Sequence, residues 1–107
     1  MESGLEAKIQ ETKNKIKQFL KEEGIEFNED ERHIMIKGEV FYIVMLRFVE
    51  ISIKIKQDKY LVLTYENETL SIRYEETFPK ENVKELKISR HSINAIYFTD
   101  KTLVILF

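Results

Sequence analysis

Residues 40–56 read VFYIVMLRFVEISIKIK, and this stretch decides the fold because its side chains alternate as those of a β-strand do. The odd positions are apolar except for Arg47, whereas the even positions are apolar up to Phe48 and polar from Glu50 onward. The first half is therefore expected to be covered on both faces and the second half on one. No Gly, Pro, Asn or Asp interrupts the stretch, so we expect one long bent strand with Arg47 at the break, paired or at a bulge. The N-terminal helix, or a partner chain, is expected to cover the even face of residues 40–48.

The N-terminal segment has the period of an amphipathic helix. Ser3 and Glu6 have the spacing of a capping box, and Gly24 can adopt the left-handed conformation that ends a helix. With apolar residues recurring at three and four positions in between, the pattern predicts a helix over residues 4–23. Lysines flank the apolar stripe on both sides, which is typical of a solvated face. These are Lys8, Lys13, Lys15, Lys17 and Lys21.

After Gly24 the period changes to that of β-strands almost to the end of the chain. Besides the long stretch described above, the predicted strands cover residues 25–27, 32–37, 60–65, 69–74, 87–89, 93–98 and 102–107. Polar turns are predicted at 28–31, 57–59, 66–68 and 99–101. Pro79 suits the first turn of a helix, so a short second helix is predicted near 80–86.

The last five residues, LVILF at 103–107, are apolar on both faces. Chain ends are usually polar and loose, and an exposed edge of this composition would recruit other strands. The final strand must therefore be central in the sheet or buried against another copy. We accordingly predict a single α+β domain over residues 1–107, in which the helix packs on a mostly antiparallel meander of six to eight strands.

The composition excludes several classes of protein. Of the 107 residues, 43% are hydrophobic, which favours one folded core over disorder. The 17 basic and 19 acidic side chains nearly balance, which argues against a strongly basic nucleic-acid binder. The absence of Cys excludes disulfides, zinc knuckles and thiol nucleophiles. The longest apolar run, residues 40–46, is far shorter than the roughly 20 residues of a spanning helix. Residues 1–6 lack the basic start and apolar region of a signal peptide, so export is not expected. A cytoplasmic protein with no membrane partner is expected. The sequence is rich in Lys, Glu and Ile, which is typical of proteins from hyperthermophiles and also of proteins encoded by AT-rich genomes.

The two histidines are the first candidate site, because each follows an arginine, in Arg32 with His33 and in Arg90 with His91. Histidine titrates near neutrality, so one interpretation is a metal-independent ribonuclease. In it one histidine is the general base, the other is the general acid, and the arginines bind the phosphate. The alternative is that both pairs are ordinary polar residues at strand starts. No metal, cofactor or nucleotide motif is present, so no catalytic residue, metal or cofactor is assigned and an enzyme is not favoured.

A basic sheet face is the second candidate site. Lys54, Lys56 and Arg73 occupy outward positions with tyrosines nearby, an arrangement that single-strand nucleic-acid binders use. The alternative is that these are ordinary exposed lysines on the solvent face of a sheet that buries only its other face. Together with Arg90 and His91, these three residues are the candidate binding residues.

The apolar surface favours a third class of function. Residues 40–48 and 103–107 are both expected to need cover on two faces, which is more apolar surface than one 20-residue helix is expected to cover. We therefore expect a non-catalytic macromolecule-binding or adaptor module that acts as a homodimer and binds a protein partner. A single-stranded nucleic-acid binder and a ribonuclease built on His33 and His91 are the alternatives.

Overall fold

The computed structural model describes residues 3–77 and 84–107, in which it has one α-helix, nine β-strands and one 3₁₀ turn. The elements are α1 (Ser3–Glu22), β1 (Asn28–Glu29), β2 (His33–Lys37), β3 (Glu39–Met45), β4 (Val49–Lys56), β5 (Lys59–Glu66), β6 (Thr69–Glu76), β7 (Glu85–Ser89), the 3₁₀ turn (Arg90–Ser92), β8 (Ala95–Thr99) and β9 (Thr102–Leu106). The chain divides into two compact units. One comprises the residues up to Lys37 together with His91–Phe107, and the other comprises Gly38–Arg90.

The predicted N-terminal helix is confirmed, and its end has a defined hydrogen-bond pattern. Gly24 has a φ of 71°, its N–H donates to the Lys21 carbonyl at 3.1 Å, and the Ile25 N–H donates to the Leu20 carbonyl at 2.8 Å. These two bonds form a Schellman motif, which satisfies carbonyls that the helix leaves without partners. Glycine fits here because a Cβ disfavours positive φ.

Helix α1 buries one face within the first unit. Ile16, Phe19 and Leu20 are buried, as the apolar stripe predicts. Lys13 is buried as well, with 5% of its surface exposed, so the prediction of a solvated lysine face is wrong at this position. Its ammonium group donates to the backbone carbonyls of Asp30 and Glu31, which ties the helix to the turn that precedes β2.

The first unit contains a four-stranded antiparallel sheet in the order β1-β2-β9-β8. Strand β9 pairs with β2 on one side and β8 on the other, and Leu103, Val104 and Ile105 are buried. Of the two alternatives that the sequence leaves open for the C-terminal strand, a central position in the sheet and burial against another copy, the structure shows the first. The strand predicted at 25–27 is wrong, because pairing with β2 begins only at Asn28.

The second unit contains a five-stranded antiparallel meander, with β3 to β7 adjacent in chain order. Two of its hairpin turns have a residue with positive φ, Asp58 and Asn67, and both lie in predicted turns. Such residues suit tight hairpins because Asp and Asn tolerate this conformation. The apolar face of the meander buries Ile53, Leu61 and Ile72.

The prediction of one long strand over residues 40–56 is wrong. Strands β3 and β4 form a hairpin in which Met45 pairs with Val49, and residues 46–48 make the turn. The Leu46 N–H donates to the Phe48 carbonyl at 3.0 Å, which closes the turn, and Arg47 is exposed at its tip. A charged side chain remains hydrated there, whereas in the middle of an apolar strand it would be buried at a large cost.

The α+β class is confirmed, but the strands form two sheets with nine described strands instead of one meander of six to eight. The short helix predicted near 80–86 lies outside the described residues at 80–83. At Glu85 and Leu86 the prediction is wrong, because these residues belong to β7 and pair with β6.

Candidate functional site

Within residues 3–77 and 84–107, strand β3 pairs only with β4, so it lies at the edge of its sheet. Residues 40–46 carry no charge, yet all except Val44 are exposed, from 37% for Tyr42 to 82% for Leu46. The expectation that the N-terminal helix covers the even face of this stretch is therefore wrong. A sheet edge leaves a row of unpaired backbone N–H and C=O groups, and here apolar side chains surround that row. We call residues 40–46 the bare edge.

One aromatic side chain of the bare edge, Phe41, packs on a tyrosine of the same sheet. The pairing of β3 with β4 shifts register between Val40 and Tyr42, which marks a bulge at Phe41. The Phe41 ring lies 4.8 Å from the Tyr60 ring of β5, at a tilt of 42°. Such tilted pairs are favourable, so this contact helps to hold the edge strand in place.

A polar cluster centred on Glu50 links the bare edge to the rest of the sheet. The Glu50 carboxylate accepts hydrogen bonds from Tyr42 Oη at 2.7 Å, Thr64 Oγ1 at 2.9 Å and Arg73 Nη2 at 3.1 Å. The bond from Tyr42 is the largest cause that lowers the pKa of Glu50. The same bond, together with burial, raises the pKa of Tyr42 to about 12, because the carboxylate favours the protonated phenol. Four strands, β3 to β6, therefore meet in one hydrogen-bonded group.

The structure places two of the three predicted basic residues on one face. Lys54 pairs with Tyr60, Val62 pairs with Arg73, and alternation along β5 puts these side chains on the same side. Lys56 follows a second register shift and pairs with Lys59. The candidate nucleic-acid face is thus assembled in part, and its function stays a prediction.

The charge of Arg73 is matched by two carboxylates. Besides its bond to Glu50, its Nε lies 3.4 Å from Glu75 Oε1. Lys87 and Glu85 form a further ion pair on this sheet at 3.5 Å. The positive potential that a phosphate backbone requires is correspondingly reduced.

The remaining predicted residues lie elsewhere. The Arg90 guanidinium is 6.0 Å from the centroid of the Tyr65 ring, and alternation along β5 places Tyr65 on the opposite face from Arg73. Burial raises the pKa of Tyr65. His91 lies in the 3₁₀ turn, Arg90–Ser92, that follows β7.

His33 has a local structural partner. Its Nδ1 lies 2.8 Å from Asp30 Oδ1, and the same carboxylate oxygen accepts the backbone N–H groups of Arg32 at 2.9 Å and His33 at 2.8 Å. The contact with the His33 ring is the largest cause that lowers the pKa of Asp30. Asp30 thus fixes the turn before β2 by the side-chain bonding that Asp often supplies in turns. The ribonuclease reading of His33 and His91 stays a prediction.

The described residues contain no group of three or more His, Cys, Asp or Glu side chains able to hold a metal ion. Across the same residues, no helix has the length and apolar character that crossing a membrane requires. No protein-family model matches the sequence, and searches of curated proteins and of solved structures give no significant match.

Proposed function

We propose that the protein is a non-catalytic macromolecule-binding or adaptor module that acts as a homodimer, with the bare edge as its interface. The observation that carries the proposal is a seven-residue uncharged edge segment, residues 40–46, with six exposed side chains. Exposed apolar edges pair with other strands, because pairing satisfies the backbone groups and removes apolar surface from water at the same time.

The other sheet edges are protected, which makes β3 exceptional. Strand β7 carries Glu85 and Lys87, and charged side chains discourage pairing with another chain. Strand β1 has only two residues, both polar. Strand β8 is uncharged, but only Tyr97 and Thr99 of its five residues are exposed. An adaptor function fits this contrast, since among the described sheet edges only β3 combines length, apolar character and exposure.

Light scattering after size exclusion tests the homodimer. At micromolar concentration the wild-type chain is expected at twice its 12.8 kDa mass. Ile43→Lys, which puts a charge in the middle of the bare edge, is expected to elute as a monomer with an unchanged circular dichroism spectrum. Tyr97→Lys is the matched control, because it makes the same kind of change on the other uncharged edge strand and should leave the dimer intact. A wild-type mass of 12.8 kDa would refute the proposal.

A single-stranded nucleic-acid binder is the second candidate function, and the shared face of Lys54, Tyr60 and Arg73 favours it. Fluorescence anisotropy with a labelled oligonucleotide at low salt tests it. Binding that weakens as salt rises and falls further in the Lys54→Ala variant would support this function. The absence of binding at low salt would rule it out.

A further inference from the structure

The bare edge is flanked by opposite charges. Glu39 precedes it and Arg47 follows it, and the midpoint between the two is Ile43. The segment is therefore self-complementary, because reversing its direction exchanges the acidic end for the basic end. Homodimers with twofold symmetry require this property, since the same surface patch must fit itself.

We propose that the partner at the bare edge is a second copy of the chain, paired antiparallel with Ile43 facing Ile43 of the second copy. This register rests on the proposed homodimer and deepens it. It brings the turn residue Arg47 of each copy to the end of the interface at which Glu39 of the other copy lies, once on each side of the twofold axis. It also aligns all seven uncharged residues of one edge with those of the other.

Other registers lose these matches. Moving the centre of symmetry from Ile43 to Tyr42 or to Val44 shifts one copy by two residues along the other, which moves Glu39 about 7 Å along the strand relative to Arg47 of the other copy. Opposite charges facing each other across a strand pair stabilise it, and like charges destabilise it. The bulge at Phe41 lies outside the central segment from Tyr42 to Val44, so the middle of the edge is regular. The product is a continuous sheet that joins the five-stranded meanders of both copies.

Single cysteines report this register directly, because the natural chain has none. In Ile43→Cys the two new residues face each other with Cα atoms about 4.5–5.5 Å apart, which suits a disulfide. In Leu46→Cys, position 46 of one copy lies opposite position 40 of the other. The two cysteines are therefore six residues apart along the strands, and their Cα atoms are on the order of 20 Å apart. Under mild oxidation by diamide, which accepts the two electrons and two protons of the thiols, only Ile43→Cys is expected to form a covalent dimer.

Charge exchange gives an independent test. Glu39→Arg and Arg47→Glu each create like charges at both ends of the interface, so each variant is expected to dimerise about tenfold more weakly than the wild type. An equimolar mixture of the two variants restores both opposite-charge pairs, so native mass spectrometry should detect mainly heterodimers.

The outcomes separate the register from the homodimer. A wild-type dimer in which Ile43→Cys fails to crosslink, or in which Leu46→Cys crosslinks equally well, overturns the register and leaves the homodimer standing. Preferential heterodimers in the mixture, with crosslinking at Ile43 alone, support the register. A monomeric wild-type chain overturns both proposals.

Discussion

Gly38 is the residue at which the structure gives the sharpest prediction about stability. A Cβ built on Gly38 would lie 2.6 Å from Ile53 Cγ2 and 2.9 Å from the Lys54 carbonyl oxygen. Ile53 is fully buried and the carbonyl belongs to the backbone of β4, so neither atom can move away freely. The φ of Gly38 is not positive, so Gly38→Ala tests crowding and not backbone strain.

The magnitude follows from two opposing effects. The overpacking caused by the new methyl group lowers the free energy of unfolding by about 1–3 kcal/mol. Alanine also restricts the unfolded chain, which raises the free energy of unfolding by about 0.4–1 kcal/mol. The free energy of unfolding of Gly38→Ala should therefore fall by about 1–2 kcal/mol. With a urea dependence of about 1–3 kcal/mol per molar, the midpoint of the urea transition should fall by roughly 0.3–2 M.

Urea unfolding followed by circular dichroism measures this change, at one fixed protein concentration because dimerisation would contribute to stability. Gly4→Ala is the matched control, since a Cβ at Gly4 in α1 meets nothing within 4 Å and alanine favours helix. Its midpoint should stay equal or rise. A Gly38→Ala midpoint at or above that of the wild type would refute the reasoning.

Three further predictions concern the C-terminal strand, the polar cluster and the buried lysine. Deleting residues 103–107 should abolish the cooperative melt seen by calorimetry, because it removes the central strand and four buried side chains worth about 1.5–3 kcal/mol each; a retained transition would contradict this. The pKa of Tyr42 is raised to about 12, so its bond to Glu50 stabilises the fold below pH 10 and this contribution is lost as the pH rises through 12. Tyr42→Phe should remove that part of the pH dependence in urea titrations, and an unchanged profile would refute the assignment. Lys13→Ala should lower the free energy of unfolding by about 1–3 kcal/mol, because the carbonyls of Asp30 and Glu31 lose their hydrogen-bond donor. Lys15→Ala, on the exposed side of the helix, is the control and should change the free energy of unfolding by less than about 0.5 kcal/mol.

Local patterns predicted the elements whose structure is set by nearby residues. The helix follows from its period, and its end follows from Gly24, which forms a Schellman motif with carbonyls within the same turn. The burial of the last strand follows from its composition, since a strand that is apolar on both faces must be covered, but its central position in the sheet does not. The hairpins at Asp58 and Asn67 follow from residue types that tolerate positive φ.

The errors arise where distant residues decide the structure. The turn at 46–48 contains no typical turn residue, and what selects it is the pairing of Ile43 with Ile51 and of Met45 with Val49. Lys13 is buried because the carbonyls of Asp30 and Glu31, 17 and 18 positions away, accept its hydrogen bonds. A single sequence shows neither set of partners.

In the candidate site, too, the sequence predicts what nearby residues determine and does not predict what distant residues determine. The uncharged run at 40–46 is visible in the sequence, but its exposure depends on β3 being at the edge of the meander. The sequence does not predict the cluster around Glu50, because Thr64 and Arg73 reach Glu50 only through the register of three strands. The alternation that placed Glu50 on a polar face was the one available signal, and it does not identify partners.

The polar cluster and the bare edge are connected in a way that favours binding. An edge strand with few contacts would fray, and a partner would then have to order it at a cost in conformational entropy. Here the Tyr42–Glu50 hydrogen bond and the stacking of Phe41 on Tyr60 anchor β3 from the side of its own sheet. The outer edge is consequently a preformed template, and a second strand that adds to it loses less entropy on binding. Weakening the anchor by Tyr42→Phe should therefore reduce dimerisation as well as stability, even though the phenylalanine increases the apolar surface of the edge.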